Sequence, residues 1–288
     1  MAMRQRFGLL PLPFSEISYM NIFLILKRWI EIPIHYKTLF WGFVRNEIKG
    51  RFAGSIGGFL WSLLTPLANL LIYIFVFSII FKIRMKPMET GTDSFVVYFL
   101  TGLLPWTAFS EALSGATDAF LSRANLITKV AFPLEILPMS GVIVPFCLNG
   151  LGFVMFLVYL IFKGYFHMAW MWLPLVVTAH MVFTLGMVCL IASLSVFLRD
   201  IKQFIGTALS LWFFLTPIIY PLSMVPEKLQ WFIKINPMYP FIELYHQVLL
   251  HHFISFTMLA YAIGLTLLCL VGSVIFFERS KYAFADVL

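Results

Sequence analysis

Residues 58–81 run for 24 positions without a charge. That run restricts the chain more than any other feature. A hydrocarbon core about 30 Å thick is crossed by roughly 20 apolar residues of helix, so the run can span a bilayer with some tilt. Composition agrees along the whole length: 61% of residues are hydrophobic and 11% charged, against a charged share near 25% in soluble domains. The sequence predicts an all-α polytopic membrane protein with a single membrane domain.

Immediately upstream, residues 40–52 are charged and amphipathic. Phe40, Val44, Ile48 and Phe52 recur every four residues, with Trp41 beside them, and form one apolar helical stripe. Arg45, Asn46 and Lys49 point elsewhere, while Glu47 and Arg51 fall near the stripe as i,i+4 partners. The reading is a basic helix that lies in the membrane interface and feeds the first span. An ordinary positive-inside flank is the alternative. Residues 17–26 are apolar but too few to cross, which puts them on the membrane or on a partner. Pro33 is expected to separate them from the interface helix, because the residue before a proline leaves the helical region. The stretch with Arg4, Arg6, Pro11 and Pro13 is too short and broken for a secretory signal.

Further spans are expected at about 95–113, 136–162 and 173–198, a fifth from near Phe204, and a last at 258–277. The fifth meets Pro217 and Pro221, which should break it. Between it and the last span, 226–236 is amphipathic and 237–250 is apolar but too short to cross. Residues 220–252 as a whole are read as a re-entrant or interfacial pair on the outer side, a plain external loop with a surface helix being the alternative. Fourteen of the 20 lysines and arginines fall on the side of the two termini and six on the other. That bias puts both termini in the cytoplasm. The division expected is a cytoplasmic N-terminal segment at 1–57, a six-span domain at 58–277 and a cytoplasmic tail at 278–288.

Little in the chain suggests catalysis. No G-x-x-x-x-G-K-[ST] loop and no H-E-x-x-H pair occurs, so phosphate-loop ATP hydrolysis and a zincin site are excluded. His246, His251 and His252 are spaced for interfacial polarity rather than for metal ligation, and Cys147, Cys189 and Cys269 sit in apolar runs as small hydrophobes. Glu111, Asp118 and Glu135 are scattered near the cytoplasmic edge, where pairing or solvation explains them as well as acid–base work does. A proton relay would need a chain of intramembrane titratable groups. Aromatic residues make up 18% of the chain. An interfacial belt explains Trp106, Trp170, Trp172 and Trp231, but not Trp61 or the run Trp212, Phe213, Phe214. Flat ring faces suit the C–H faces of passing sugars, and this is a reading for some of Trp61, Trp106, Trp212, Phe213, Phe214 and Tyr220.

Six segments together resemble the ABC-2 type transporter permeases that export bacterial polysaccharides. They are R-N-E-I-K-G-R-F-A-G-S-I-G-G-F-L-W-S-L-L-T-P-L from Arg45, T-G-L-L-P-W-T-A-F-S-E-A-L from Thr101 and N-L-I-T-K-V-A-F-P-L-E-I-L-P from Asn125. F-L-R-D-I-K-Q-F from Phe197, T-P-I-I-Y-P from Thr216 and I-N-P-M-Y-P from Ile235 complete the set in order. The likeness runs from about Lys37 to the end and is nearest to permeases of lipopolysaccharide O-antigen export, with capsule and teichoic acid permeases as cousins. The segment before Lys37 departs from it. The resemblance implies a homodimer in the bacterial inner membrane and a separate ATPase subunit that carries the ATP and Mg, this chain having no cofactor of its own. It implies a lipid-diphosphate-linked glycan as cargo. Arg45, Glu47, Lys49 and Arg51 match the interface helix that would meet the lipid phosphate. Arg123, Asn125, Lys129, Phe132 and Pro133 match the loop that couples to the ATPase. Pro217, Pro221, Asn236 and Pro237 would gate the outer end. A small-molecule or drug exporter on the same scaffold, and a membrane transferase acting on lipid-linked sugars, are the rival readings.

Overall fold

The computed structural model describes residues 22–55 and 57–288. The reading of Arg4, Arg6, Pro11 and Pro13 lies outside the described residues, as does the first half of 17–26. Among the described residues the regular structure is helical, apart from one isolated antiparallel bridge between Arg84 and Ser94.

Two helices precede the first apolar run: α1 (Ile22–His35) and α2 (Lys37–Phe52). Pro33 does not divide them, contrary to the sequence expectation; it lies inside α1. The chain turns only at Tyr36, whose N–H still bonds Ile32 O at 2.9 Å. Ile25, Trp29 and Ile32 are buried along one face of α1, and that packing overrides the preference of a pre-proline residue. This helix thus rests on its own chain, with the Trp29 indole N–H donating to Glu278 Oε1 at 3.0 Å. On α2 the expected stripe is in place: Phe40 and Val44 are buried, and Arg45, Asn46 and Lys49 face out. The helix does not continue into the first span. It stops at Ala53, and Gly54 turns the chain at φ +78°, a conformation glycine adopts without a Cβ penalty.

Next come α3 (Trp61–Ile80), α4 (Phe95–Ala116), the short α5 (Ala124–Lys129), α6 (Ile136–Phe162) and α7 (Leu173–Phe197). They are followed by α8 (Ile201–Leu215), α9 (Glu227–Ile235), α10 (Tyr239–His246) and α11 (Phe256–Ser280). Five of these, α3, α4, α6, α7 and α11, are long and apolar enough to cross a membrane, whereas α8 has 15 residues. A helix apolar on all sides belongs in the middle of a bundle, and α4 is the most buried span; in α3 no residue of the apolar window is fully buried, though Leu70, Tyr73, Ile74 and Phe77 pack half-buried against the core. Lipid tails give apolar helices no reason to segregate, so close approach through small residues matters. At the most extensive pairing, α7 on α11, a Cβ on Gly186 would stand 3.0 Å from Cys269 Sγ and 3.1 Å from Leu270 N.

The polar contacts sort to two ends. At one end Arg28 meets Glu135 at 2.8 Å, Arg123 meets Glu47 at 3.2 Å and Lys202 meets Asp118 at 2.8 Å. At the other, Ser223 bonds Glu89 and Thr92 bonds Tyr165, each at 2.5 Å. The chain therefore passes from the first end to the second between Lys202 and Ser223, by way of α8 and the Thr216–Pro221 stretch, and α11 returns it.

Candidate functional site

Three constellations flagged in the sequence can be followed in space. The first joins α2 to the loop at 121–133. Phe43 stacks on Phe132 with ring centroids 5.7 Å apart. Arg123 donates to Glu47 Oε2 at 3.2 Å and to Ala119 O at 3.2 Å, with its guanidinium 6.0 Å from the Phe43 ring centre. Glu47 and Arg123, read separately as parts of the interface helix and of the coupling loop, thus form one ion pair between them. Ile127 is buried and seats α5, Pro133 is buried behind it, and Asn125, Thr128 and Lys129 face outward. The cation of Lys129 lies in the last turn of α5, where the helix dipole favours it.

Arg51 behaves differently from its neighbours on α2. Its guanidinium is ion-paired with Glu111 of α4, whose second oxygen accepts from Asn149 Nδ2 of α6 at 2.6 Å. Burial lowers the Arg51 pKa, while the nearby Glu47 charge acts in the opposite sense. This trio pins the end of α2 to two membrane helices. Arg45 and Lys49, one turn apart, are exposed and make no ion pair among the described residues. Of the cations singled out on α2, Arg45 and Lys49 are thus the outward-facing ones without an ion pair, while Arg51 is engaged internally, as is Arg123 of the loop.

The second constellation is a groove of about 410 Å³ between α4 and α8, lined by Trp106, Ser110, Ser114, Ser210, Phe213 and Phe214 among others. Trp106, Ser110 and Ser114 recur every four residues, which gives α4 one face with a ring at one end and hydroxyls along it. Trp106 stands 5.8 Å from Phe213 and 6.1 Å from Trp212, centroid to centroid. Of the six aromatic residues singled out in the sequence, Trp106, Phe213 and Phe214 line this groove. Trp212 turns into the bundle against Phe109 at 5.3 Å, and Trp61 is exposed on α3, away from it. Tyr220 donates to Phe214 O at 2.8 Å. The three serines were not anticipated; for Ser110 and Ser114 their spacing against Trp106 was the available signal.

The third is the break beyond α8. Its helix ends at Leu215, just ahead of Pro217, and Asn236 closes the end. Asn236 Nδ2 donates to Leu215 O at 3.0 Å and Thr216 Oγ1 at 2.9 Å, and its Oδ1 accepts from Trp212 Nε1 at 2.6 Å and Met238 N at 2.9 Å. The last carbonyls of a helix lack internal partners, and here a side chain 21 residues further on supplies one, to Leu215 O. Tyr98 OH reaches Pro217 O at 3.4 Å and Tyr220 O at 3.3 Å. Pro237 follows Asn236 directly, and Pro221 is buried. His246, expected as an interfacial polar residue, is buried; it stacks on Tyr98 at 4.1 Å with Nε2 3.1 Å from Tyr98 O. Among the described residues no group of three His, Cys, Asp or Glu side chains is placed to hold a metal ion.

Five long apolar helices among the described residues, α4 the most buried of them, with charged contacts gathered at their ends, define a polytopic helical membrane protein. The chain belongs to the ABC-2 type transporter family, whose profile matches residues 38–250. It is 31% identical to the O-antigen export system permease protein RfbA of Myxococcus xanthus, over 90% of this chain and 98% of that protein. It is 28% identical to RfbA of Klebsiella pneumoniae over 84% of this chain and 92% of the relative. Against the polysialic acid transport protein KpsM of Escherichia coli the identity is 24%, over 77% of this chain and 89% of the relative. Members of this family are transporter permease subunits, and the chain is a permease rather than an enzyme.

Proposed function

We propose that this chain is the membrane subunit of an ATP-driven exporter that moves a lipid-diphosphate-linked polysaccharide, an O-antigen in particular, across the bacterial inner membrane. The observation that carries the reading is the groove of Trp106, Phe213 and Phe214 faced with serine hydroxyls, in a chain whose relatives are named for O-antigen export. Aromatic faces with scattered hydroxyls suit a sliding glycan, which needs apolar C–H contact and exchangeable hydrogen bonds rather than a tight pocket. A hydrophobic cargo would have no use for the hydroxyls.

In this reading the chain crosses the membrane six times, α8 with the stretch after it making the fifth passage, and both termini are cytoplasmic. Residues 220–252 form a re-entrant or interfacial outer pair, with Pro217, Pro221, Asn236 and Pro237 at the gate. Two copies enclose the path. A separate ATPase, which holds the ATP and Mg, docks on Asn125, Lys129 and the surrounding loop. Because Arg123 and Phe132 of that loop contact Glu47 and Phe43 of α2, a push on the loop moves the interface helix. Arg45 and Lys49 meet the diphosphate as it leaves the inner leaflet, where arginine can pair bidentately with phosphate oxygens.

Deleting the chain in its host, while measuring surface polysaccharide and intracellular lipid-diphosphate-linked glycan together, tests the proposal. Loss at the surface with accumulation inside is expected. Unchanged surface glycan would overturn it and favour a small-molecule or drug exporter.

A further inference from the structure

Helix α1 precedes the region shared with the family, which begins at residue 38, yet it is tied to the loop at 121–133 more firmly than a leader would require. Glu135, two positions beyond Pro133, accepts from Arg28 at 2.8 Å and from Lys281 at 3.0 Å, both on Oε1. Lys281 also contacts Glu278 Oε2 at 2.5 Å, and Glu278 Oε1 accepts the Trp29 indole N–H at 3.0 Å. The two carboxylates are 1% and 3% exposed. Such burial is sustained only when each charge is paired and hydrogen-bonded, and here two cations face two anions. Burial alone would raise the Glu135 pKa, but Lys281 and Arg28 outweigh it and hold the carboxyl below its ordinary value.

The other root of the loop is held by aromatic rings of α11 and the C-terminal tail. Phe120 lies 4.9 Å from Phe284 and 6.0 Å from Phe277, and Phe277 lies 5.2 Å from Trp29. One end of the 121–133 segment thus rests directly on α1 and the C-terminal residues, and the other on Phe277 and Phe284, with Trp29 of α1 packed behind Phe277. We infer that Arg28, Glu135, Glu278 and Lys281 are positioning residues, which fix the Glu135 root of the loop directly and hold Trp29 and Phe277 behind the Phe120 root, so that a partner's push is passed to α2 rather than absorbed. The inference rests on the reading of this loop as the dock of the ATPase subunit.

The test uses the full chain co-expressed with its ATPase subunit. Arg28 is partly exposed, so Arg28→Ala removes one tie without opening the core. This variant should co-purify the ATPase within twofold of wild type. Amide exchange in residues 121–133 should rise at least tenfold, and surface glycan should fall at least fivefold. Arg28→Lys should recover both. Unchanged exchange in 121–133, or a rise confined to residues 22–35, would overturn the inference. If Arg28→Ala fails to accumulate, Lys281→Ala asks the same question from the tail, under the same criteria. Failure of the wild-type chain to retain the ATPase would instead remove the reading of the loop as its dock.

Discussion

Asn236 uses both amide hydrogens and both oxygen lone pairs on groups that α8, its own turn and Trp212 leave open. A side chain with full occupancy in a buried position is hard to replace. Asn236→Leu keeps the volume but strands the Trp212 N–H and the Leu215 carbonyl. Leaving such groups unpaired costs about 1–3 kcal/mol each, so a loss of about 2–6 kcal/mol is expected, read as a lowered melting temperature in detergent. Unchanged melting would show that the carbonyl end of α8 finds other partners. Tyr98 repeats the theme one element away, with its hydroxyl near two carbonyls of the broken stretch and its own carbonyl beside His246. The motifs containing Pro217, Pro221 and Asn236 were visible in the sequence. Three of the four bonds were not, because hydrogen bonds across 20 residues or more leave no local pattern.

At the scale of elements, α2 carries cations of two kinds. Arg51 is bound to Glu111 and thereby to Asn149, whereas Arg45 and Lys49 project from the exposed face. Arg51→Ala should destabilise the chain by about 1–3 kcal/mol, since it leaves the Glu111 carboxylate partly buried and unpaired. The double variant Arg45→Ala, Lys49→Ala should melt within about 0.5 kcal/mol of wild type, as surface changes do, yet lose most export. Melting curves beside surface-glycan measurements separate the two; equal effects on stability would sink the distinction. Spacing placed α2 and its stripe correctly because an amphipathic period is local. The same reasoning failed at Pro33, where the buried face with Trp29 decided the conformation. It was most accurate for α6, whose apolar run is bounded by Glu135 and Lys163 and matches the helix Ile136–Phe162. The pairing of Arg28 with Glu135 spans 107 residues, beyond any periodicity.

For the whole molecule, the sequence conveys the class of fold through its apolar runs, and the two-ended sorting of charge emerges only in space. Lys202 and Ser223 are the positions that test this sorting, being anchored to Asp118 and Glu89 at opposite ends. In a background without Cys147, Cys189 and Cys269, single cysteines at 202 and 223 should react with an impermeant maleimide from opposite faces of the membrane. Labelling from the same face would mean that α8 and the stretch after it return without crossing, and would leave five spans. The groove gives this topology its purpose in the proposed function, since it runs between the central α4 and the short α8.

The length of α8 reaches beyond the protein into its solvent. Fifteen residues make a rod of about 22 Å at 1.5 Å per residue, while the hydrocarbon layer measures about 30 Å. A bilayer adapts to a short apolar element by becoming thinner beside it, at fractions of a kcal/mol for each ångström of mismatch. In the six-span reading proposed above, lipid next to α8 would be compressed on the flank where the groove opens. A polar headgroup that travelled there would face a shorter stretch of oil than beside the longer spans. Lengthening α8, or thickening the membrane with longer acyl chains, would restore the barrier without altering a single contact to the cargo.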